Sequence, residues 1–422
     1  NGGVITGPGA GYAIVVQGTA GATGVHNNLL NKGVFAGGIT NSGSISGFPT
    51  AGVNVVSVSS FSGNIVNANG GLISAGPVTG VPGQGIAVAN VLTFAGNISN
   101  AGTILTGGVC IVVAGVSDVA PVSFLGAISN SGTISGGVET GIAVAGLATL
   151  SSGISNSGLI SALRDIRVTA GETPFGAEVA ASTFSGGITN TGVLTAFSVG
   201  VAVTDVTSFQ GNISNQETIV GAVAAVTTSL ALAGSNISGS LVNSAALTLA
   251  SSVVAIALTR VGGLSGNITN SGSITARTGV DLVDTTLAGA IVDTGNIVAA
   301  NNGILLDSSS KILSAGVAVE IAGPTFTGGI ANSGIIASTG ATGLLIEDTA
   351  SFAGNISNSG TITGNVGIVI GADVAFAGGS GIVNSSNITG SGGVAIDTSA
   401  ATGAVSIAQA AGTIAGAIKL SA

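Results

Sequence analysis

The sequence predicts an all-β chain: a right-handed, single-stranded parallel β-helix of about 14 to 15 coils, each with three short strands. Three observations predict it. An eleven-residue motif recurs along the whole chain, most often at a spacing of 26 residues. Inside the motif the apolar positions alternate with period two, the period of a strand with one face inward. The same residue types return at the same phase in successive copies, as in-register stacking of coils requires.

The first strand of each coil lies in the motif itself, which reads aromatic or Leu, x, Gly, x, Ile, x, Asn, Ser, Gly, x, Ile. Clear copies are FAGGITNSGSI at 35–45, FAGNISNAGTI at 94–104, FLGAISNSGTI at 124–134 and FAGNISNSGTI at 352–362. Others begin at Phe184, Leu264 and Phe326, and weaker ones at Phe61, Leu150, Phe209, Leu287 and Phe376, with another around Ile237. In the 352–362 copy, Phe352, Gly354, Ile356, Asn358, Gly360 and Ile362 form one alternating series. Ala353, Asn355, Ser357, Ser359 and Thr361 form the other, small and mostly polar. The second strand follows Asn-Ser-Gly and centres on the motif's last Ile. The third reads Gly-Ile-x-Ile, as at Gly85-Ile86, Gly141-Ile142, Gly200-Val201, Gly279-Val280, Gly343-Leu344 and Gly367-Ile368. Gly, Asn, Ser and Asp supply the turns between strands.

Stacking such coils about 4.8 Å apart predicts columns of identical side chains. Phe35, Phe61, Phe94, Phe124, Phe184, Phe209, Phe326, Phe352 and Phe376 share one phase. They are expected to form an internal aromatic ladder, interrupted by Leu150, Leu264 and Leu287. The motif asparagines are Asn41, Asn67, Asn100, Asn130, Asn156, Asn190, Asn215, Asn243, Asn270, Asn332, Asn358 and Asn384, with Asp293 in the same place between Asn270 and Asn332. They share the inward phase. Each amide offers two donors and an acceptor oxygen, so an internal structural ladder is expected here too. Gaps between copies run from 23 to 39 residues. Residues 1–422 read as one continuous repeat domain, with the irregular stretches 163–182 and 298–320 expected to bulge from its side.

Composition narrows the function. Of 422 residues, 73 are Gly, 5% are charged and the formal net charge is −9. A basic nucleic-acid-binding surface is excluded. One Cys and one His leave no intrachain disulfide and little for acid–base catalysis. The most apolar stretch, AALTLASSVVAIAL at 245–258, is broken by Ser and Thr and followed by Arg260. It falls short of the roughly 20 apolar residues of a helical membrane span.

Several residues are weighed for chemistry. Glu347 and Asp373 are 26 residues apart, the best-spaced pair for a shared Ca²⁺, against the plainer reading of solubilising surface charge. Asp281 and Asp284 with Arg260 or Arg277 imitate the paired carboxylates and Arg of β-helix hydrolases and lyases, with random placement as the competing account. Arg164, Asp165, Arg167, Glu172 and Glu178 read as a charged protrusion. Cys110 is expected outward or beneath a loop, and without redox or metal partners. The residues before the ladder asparagines are Ser or Thr in many coils, but Val66, Val242, Val292, Ala331 and Val383 break the row. That argues against an ice-binding array. No catalytic residue, metal or cofactor is assigned, and the chain is not expected to be an enzyme.

The FxGxIxNSGxI motif, with Gly-Ile-x-Ile strands between copies, resembles the passenger repeats of large bacterial autotransporters and related exported β-helix adhesins. The resemblance covers about nine-tenths of the chain. It implies export to the bacterial cell surface, with a signal peptide before and an outer-membrane β-barrel after this region in the full gene product. It implies a cell-surface adhesin or stalk that meets host, abiotic or glycan surfaces, or copies of itself. A surface-layer or filament subunit is the structural alternative, and a polysaccharide lyase or hydrolase the enzymatic one.

Overall fold

The computed structural model describes residues 3–6, 12–17, 33–76, 83–115, 122–136, 139–169, 183–221, 228–248 and 254–421. The chain is all-β, and its parallel strands stack as a β-solenoid of about 13 turns, consistent with a right-handed parallel β-helix. Among the described residues no helix is long and apolar enough to cross a membrane.

The chain divides into two compact units. The first comprises Asn1–Gly211 with Ile219–Ala225, and the second Asn212–Thr218 with Val226–Ala422. In each, equivalent strands of successive coils pair in parallel and in register. In the first unit Ile65, Ile98, Ile128, Ile154 and Ile188 stand side by side. In the second, Ile356 stands between Ile330 and Ile382. Each contributes a branched side chain to the core and is almost wholly buried. Branched residues suit this pleated, tightly stacked surface.

Each coil is cut more finely than three strands. The motif breaks around its Gly into two short segments, such as Thr93–Phe94 and Ile98–Asn100. Within a coil both lie in one sheet, while the strands after Asn-Ser-Gly lie in the opposite one. There they often fuse into one long strand, as in Leu159–Thr169 and Ser273–Val283. The motif Gly explains the break. A Cβ on Gly96 would stand 1.8 Å from the Gly63 carbonyl oxygen, so the coils touch backbone to backbone at this corner. The Asn-Ser-Gly turn does the same, with a Cβ on Gly132 falling 2.1 Å from the Gly102 oxygen.

The stretch 298–320 does not bulge. It is built into the second unit as strands Asn296–Leu306, Lys311–Ser314 and Val319–Ile321. Its effect is to shift the stacking by half a coil. Leu287, at the Phe position, pairs with Ile312, and Asp293, at the Asn position, pairs with Ile321. The next motif copy stacks on the other sheet. Phe326 pairs with Ile297, and Asn332 with Leu306. The 39-residue gap is thus one and a half 26-residue coils. The slip is tolerated because both half-coils present the same inward pattern of branched residues two apart. Of the other expected protrusion, residues 163–169 belong to the strand Leu159–Thr169. Residues 170–182, with Glu172 and Glu178, lie outside the described residues, as does His26.

Candidate functional site

The Phe ladder exists in three runs. Phe35, Phe61, Phe94 and Phe124 stack with ring centroids 5.0, 4.8 and 4.8 Å apart. Leu150 interrupts them, and Phe184 and Phe209 resume at 4.5 Å. In the second unit Phe326, Phe352 and Phe376 stack at 5.1 and 4.9 Å, the last pair tilted. This run stands on the opposite sheet from Leu264 and Leu287, so the expected single column is split by the half-coil slip.

The Asn side chains form the inward ladder. Each Nδ2 donates to the Oδ1 of the next coil, from Asn41 through Asn67, Asn100, Asn130 and Asn156 to Asn190, at 2.7 to 2.8 Å. In the second unit one run joins Asn215, Asn243 and Asn270 and ends on Asp293. A separate run joins Asn332, Asn358 and Asn384 and ends on the Gln409 Oε1. The same amides reach the turn carbonyls, as Asn358 does to Gly360 and Asn387 at 3.2 and 3.1 Å. The turn is thereby held to its own coil and to the next. Gln409 was not assigned from sequence, although SIAQAAGTI at 406–414 repeats the motif with Gln for Asn.

The acidic residues mostly serve turns. Asp205, Asp284, Asp348 and Asp373 have φ of 58°, 49°, 49° and 59°, as do Ser57 at 56°, Asn90 at 54° and Arg260 at 53°. All lie just past the third strand, at a corner needing the left-handed conformation that Asn and Asp tolerate better than most residues. Ile346 pairs with Ile370, which places Glu347 level with Gly371 rather than Asp373. A Cβ on Gly371 would stand 2.9 Å from that of Glu347. Glu347 lies near Glu320, whose pKa is raised by burial and by the Glu347 charge. The Ca²⁺ pairing is therefore not what the register brings together. Among the described residues no three His, Cys, Asp or Glu side chains gather as a metal site would need.

Asp281 is half-buried. Burial and the neighbouring Asp307 charge both raise its pKa, and its Oδ1 has no hydrogen-bond partner. Asp307 is pulled the other way. Its carboxylate accepts from the Ser310 hydroxyl and from the Asp284 and Ser310 N–H groups, and its pKa is lowered despite some desolvation. Asp165 is no surface charge. It is fully buried, its Oδ1 accepts from the Ala162 N–H at 2.9 Å, and its Oδ2 has no partner. Burial raises its pKa well above the ordinary carboxylate range. Cys110 is likewise buried rather than outward, with Sγ 3.3 Å from the Thr106 hydroxyl. Desolvation pushes its thiol up to about 12. Both faces of its segment are covered, since Val109, Val112 and Ala114 join Ala51, Ala87 and Ala143 in a second apolar cluster.

What repeats outward is hydroxyl. Ser60, Thr93, Ser123, Thr149, Thr183 and Ser208 are aligned coil by coil in the first unit, each partly exposed. The sequence signal is the Ser or Thr before the ladder Phe or Leu in these six coils, whereas Val34, Gly263 and Ala375 stand there before Phe35, Leu264 and Phe376. A second column runs Ser99, Ser129, Ser155 and Thr189 on the same sheet. Comparison with protein-family models, curated proteins and solved structures finds no match to this chain.

Proposed function

We propose that this chain is the display region of an exported bacterial cell-surface adhesin or stalk, acting by many weak contacts along repeated faces. The observation that carries the reading is the pair of in-register hydroxyl columns of the first unit. Inside, the repeated residues are consumed by Phe stacking and Asn bonding. Outside, the repeat presents donors and acceptors at the coil spacing, with only 5% of all residues charged. Such a surface suits multivalent contact with polar polymers, other surfaces or further copies of itself, where individually weak sites sum to avidity. With few charges to screen, binding depends weakly on salt.

The test is display of the chain on non-adherent bacteria. Aggregation or attachment should increase. Changing Thr93, Thr149 and Thr183 together to Asp should weaken it while the β-rich spectrum is retained. No gain in either behaviour, with monodisperse protein at high concentration, rejects the reading.

A further inference from the structure

The first Asn run of the second unit ends on an acid rather than an amide, at the coil where the stacking slips. Asp293 is fully buried on the strand Ile291–Asp293. Its Oδ1 accepts from Asn270 Nδ2 at 2.7 Å and from the Gly295 N–H at 3.3 Å. Its Oδ2 is buried without a partner, and the next residue in the column is Ile321, also wholly buried. An Asn here would aim donors at an apolar side chain. A protonated Asp keeps the acceptor that Asn270 needs, carries no charge and leaves one O–H donor beside Ile321 in place of an amide's two N–H donors. An ionised Asp sets an uncompensated negative charge against Ile321.

We propose that the half-coil seam between Asp293 and Ile321 is a proton-operated latch, closed when the Asp293 carboxyl is protonated and loosened when it ionises. The surrounding elements supply no compensating charge. In the same sheet, Ile268–Asn270 carries no titratable group, and Glu320 of Val319–Ile321 alternates outward between two buried neighbours. In the opposite sheet, Arg277 and Asp281 of Ser273–Val283 are outward, and Asn296–Leu306 carries no titratable group. Burial lifts the Asp293 pKa to about 6, with the Asn270 and Gly295 hydrogen bonds opposing it. A pKa raised on folding stabilises the closed seam fully below the ordinary Asp value. That stabilisation is lost as pH climbs through about 4 to 6.

The test uses the full chain. Hydrogen exchange of the amides in Ile291–Asp293 and Val319–Ile321 is measured at pH 5 and pH 7.5 and corrected for intrinsic rates. For such a shift, seam opening should rise about ten-fold over that interval in the wild type relative to Asp293→Asn. Asp281 and Glu320 titrate alike in both proteins and cancel in the comparison. Asp293→Leu, matched to Ile321 above it, should show the same pH response as Asp293→Asn. The wild-type Asp293 carboxyl, followed by ¹³C NMR, should titrate near pH 6. A variant whose exchange tracks the wild type across pH, or a carboxyl that titrates in the ordinary Asp range, overturns the proposal. If neither variant folds, the carboxyl titration alone decides it.

Discussion

Removing one rung of an Asn ladder tests whether the inward amides hold the coils together. In Asn358→Ala, Asn332 Nδ2 loses its 2.7 Å acceptor but keeps the Thr361 carbonyl at 3.2 Å. Asn384 Oδ1 loses a 2.7 Å donor and keeps only the Ser386 N–H at 3.4 Å. The Gly360 and Asn387 carbonyls each lose a donor as well. A buried hydrogen bond is worth about 1 kcal/mol net, and stranded partners raise the cost. Partial rescue by the surviving bonds brings the expected loss to about 2–3 kcal/mol. Stability in a solenoid is set between neighbours, so the loss should be local. Native-state hydrogen exchange should show protection in Ile330–Asn332 and Gly381–Asn384 falling by roughly 30- to 150-fold, at about 1.4 kcal/mol per ten-fold. Ser357→Ala, on the outward phase of the same strand, is the control and should stay within about 0.5 kcal/mol. If the two variants are indistinguishable, the ladder is incidental and the stacked Ile and Phe side chains alone hold the coils.

Other perturbations probe different contacts. Phe352→Ala empties a site between two stacked rings and should cost about 3–5 kcal/mol, read by the loss of exchange protection in the adjoining coils. Gly360→Ala puts a Cβ 2.0 Å from the Gly334 carbonyl oxygen. It should destabilise by about 3 kcal/mol or more, and a neutral result in denaturant titration would show that the turn can move. Asp348, at φ 49°, should tolerate Gly within about 0.5 kcal/mol, whereas Asp348→Ala should lose about 1 kcal/mol in thermal unfolding. Cys110, buried with a thiol near 12, should react with iodoacetamide at pH 8 at least about a thousand-fold slower in native protein than in denaturant.

The sequence carried the strand period, the core identity and the Phe and Asn phases, because each is written directly in residue type at fixed spacing. Side-chain direction in a strand alternates with certainty, so Asn358 was readable as inward without coordinates. The features that escaped depend on where coils meet. The acids at 205, 284, 348 and 373 follow the third strand in the sequence, but only the backbone angles show that the corner there is left-handed. Asp165 read as part of a charged protrusion because of its charged neighbours, and alternation put Cys110 outward or beneath a loop. Both occupy the column otherwise held by the Gly of the third strand, with Gly85 packed against Cys110 and Gly141 against Asp165.

The half-coil slip was written in the spacing but hidden by the symmetry of the coil. A 39-residue gap looks like one coil with an insertion, since motif residues alone mark the phase. Yet the inward pattern of 296–306, with Ile297, Ile304 and Leu306, suits either sheet, and so does that of Phe326, Ile330 and Asn332. Apolar packing is indifferent to which half-coil lies above which. Hydrogen bonding is not, because an inward amide needs a hydrogen-bonding side chain above it. The slip therefore falls where the ladder can stop, at Asp293 below Ile321, and where a new one can start, at Asn332 above Leu306. A solenoid built only of stacked Phe and Ile would permit such slips at any coil. The Asn column penalises each slip with stranded polar groups, so it fixes the stacking phase everywhere except at a rung whose chemistry has been changed.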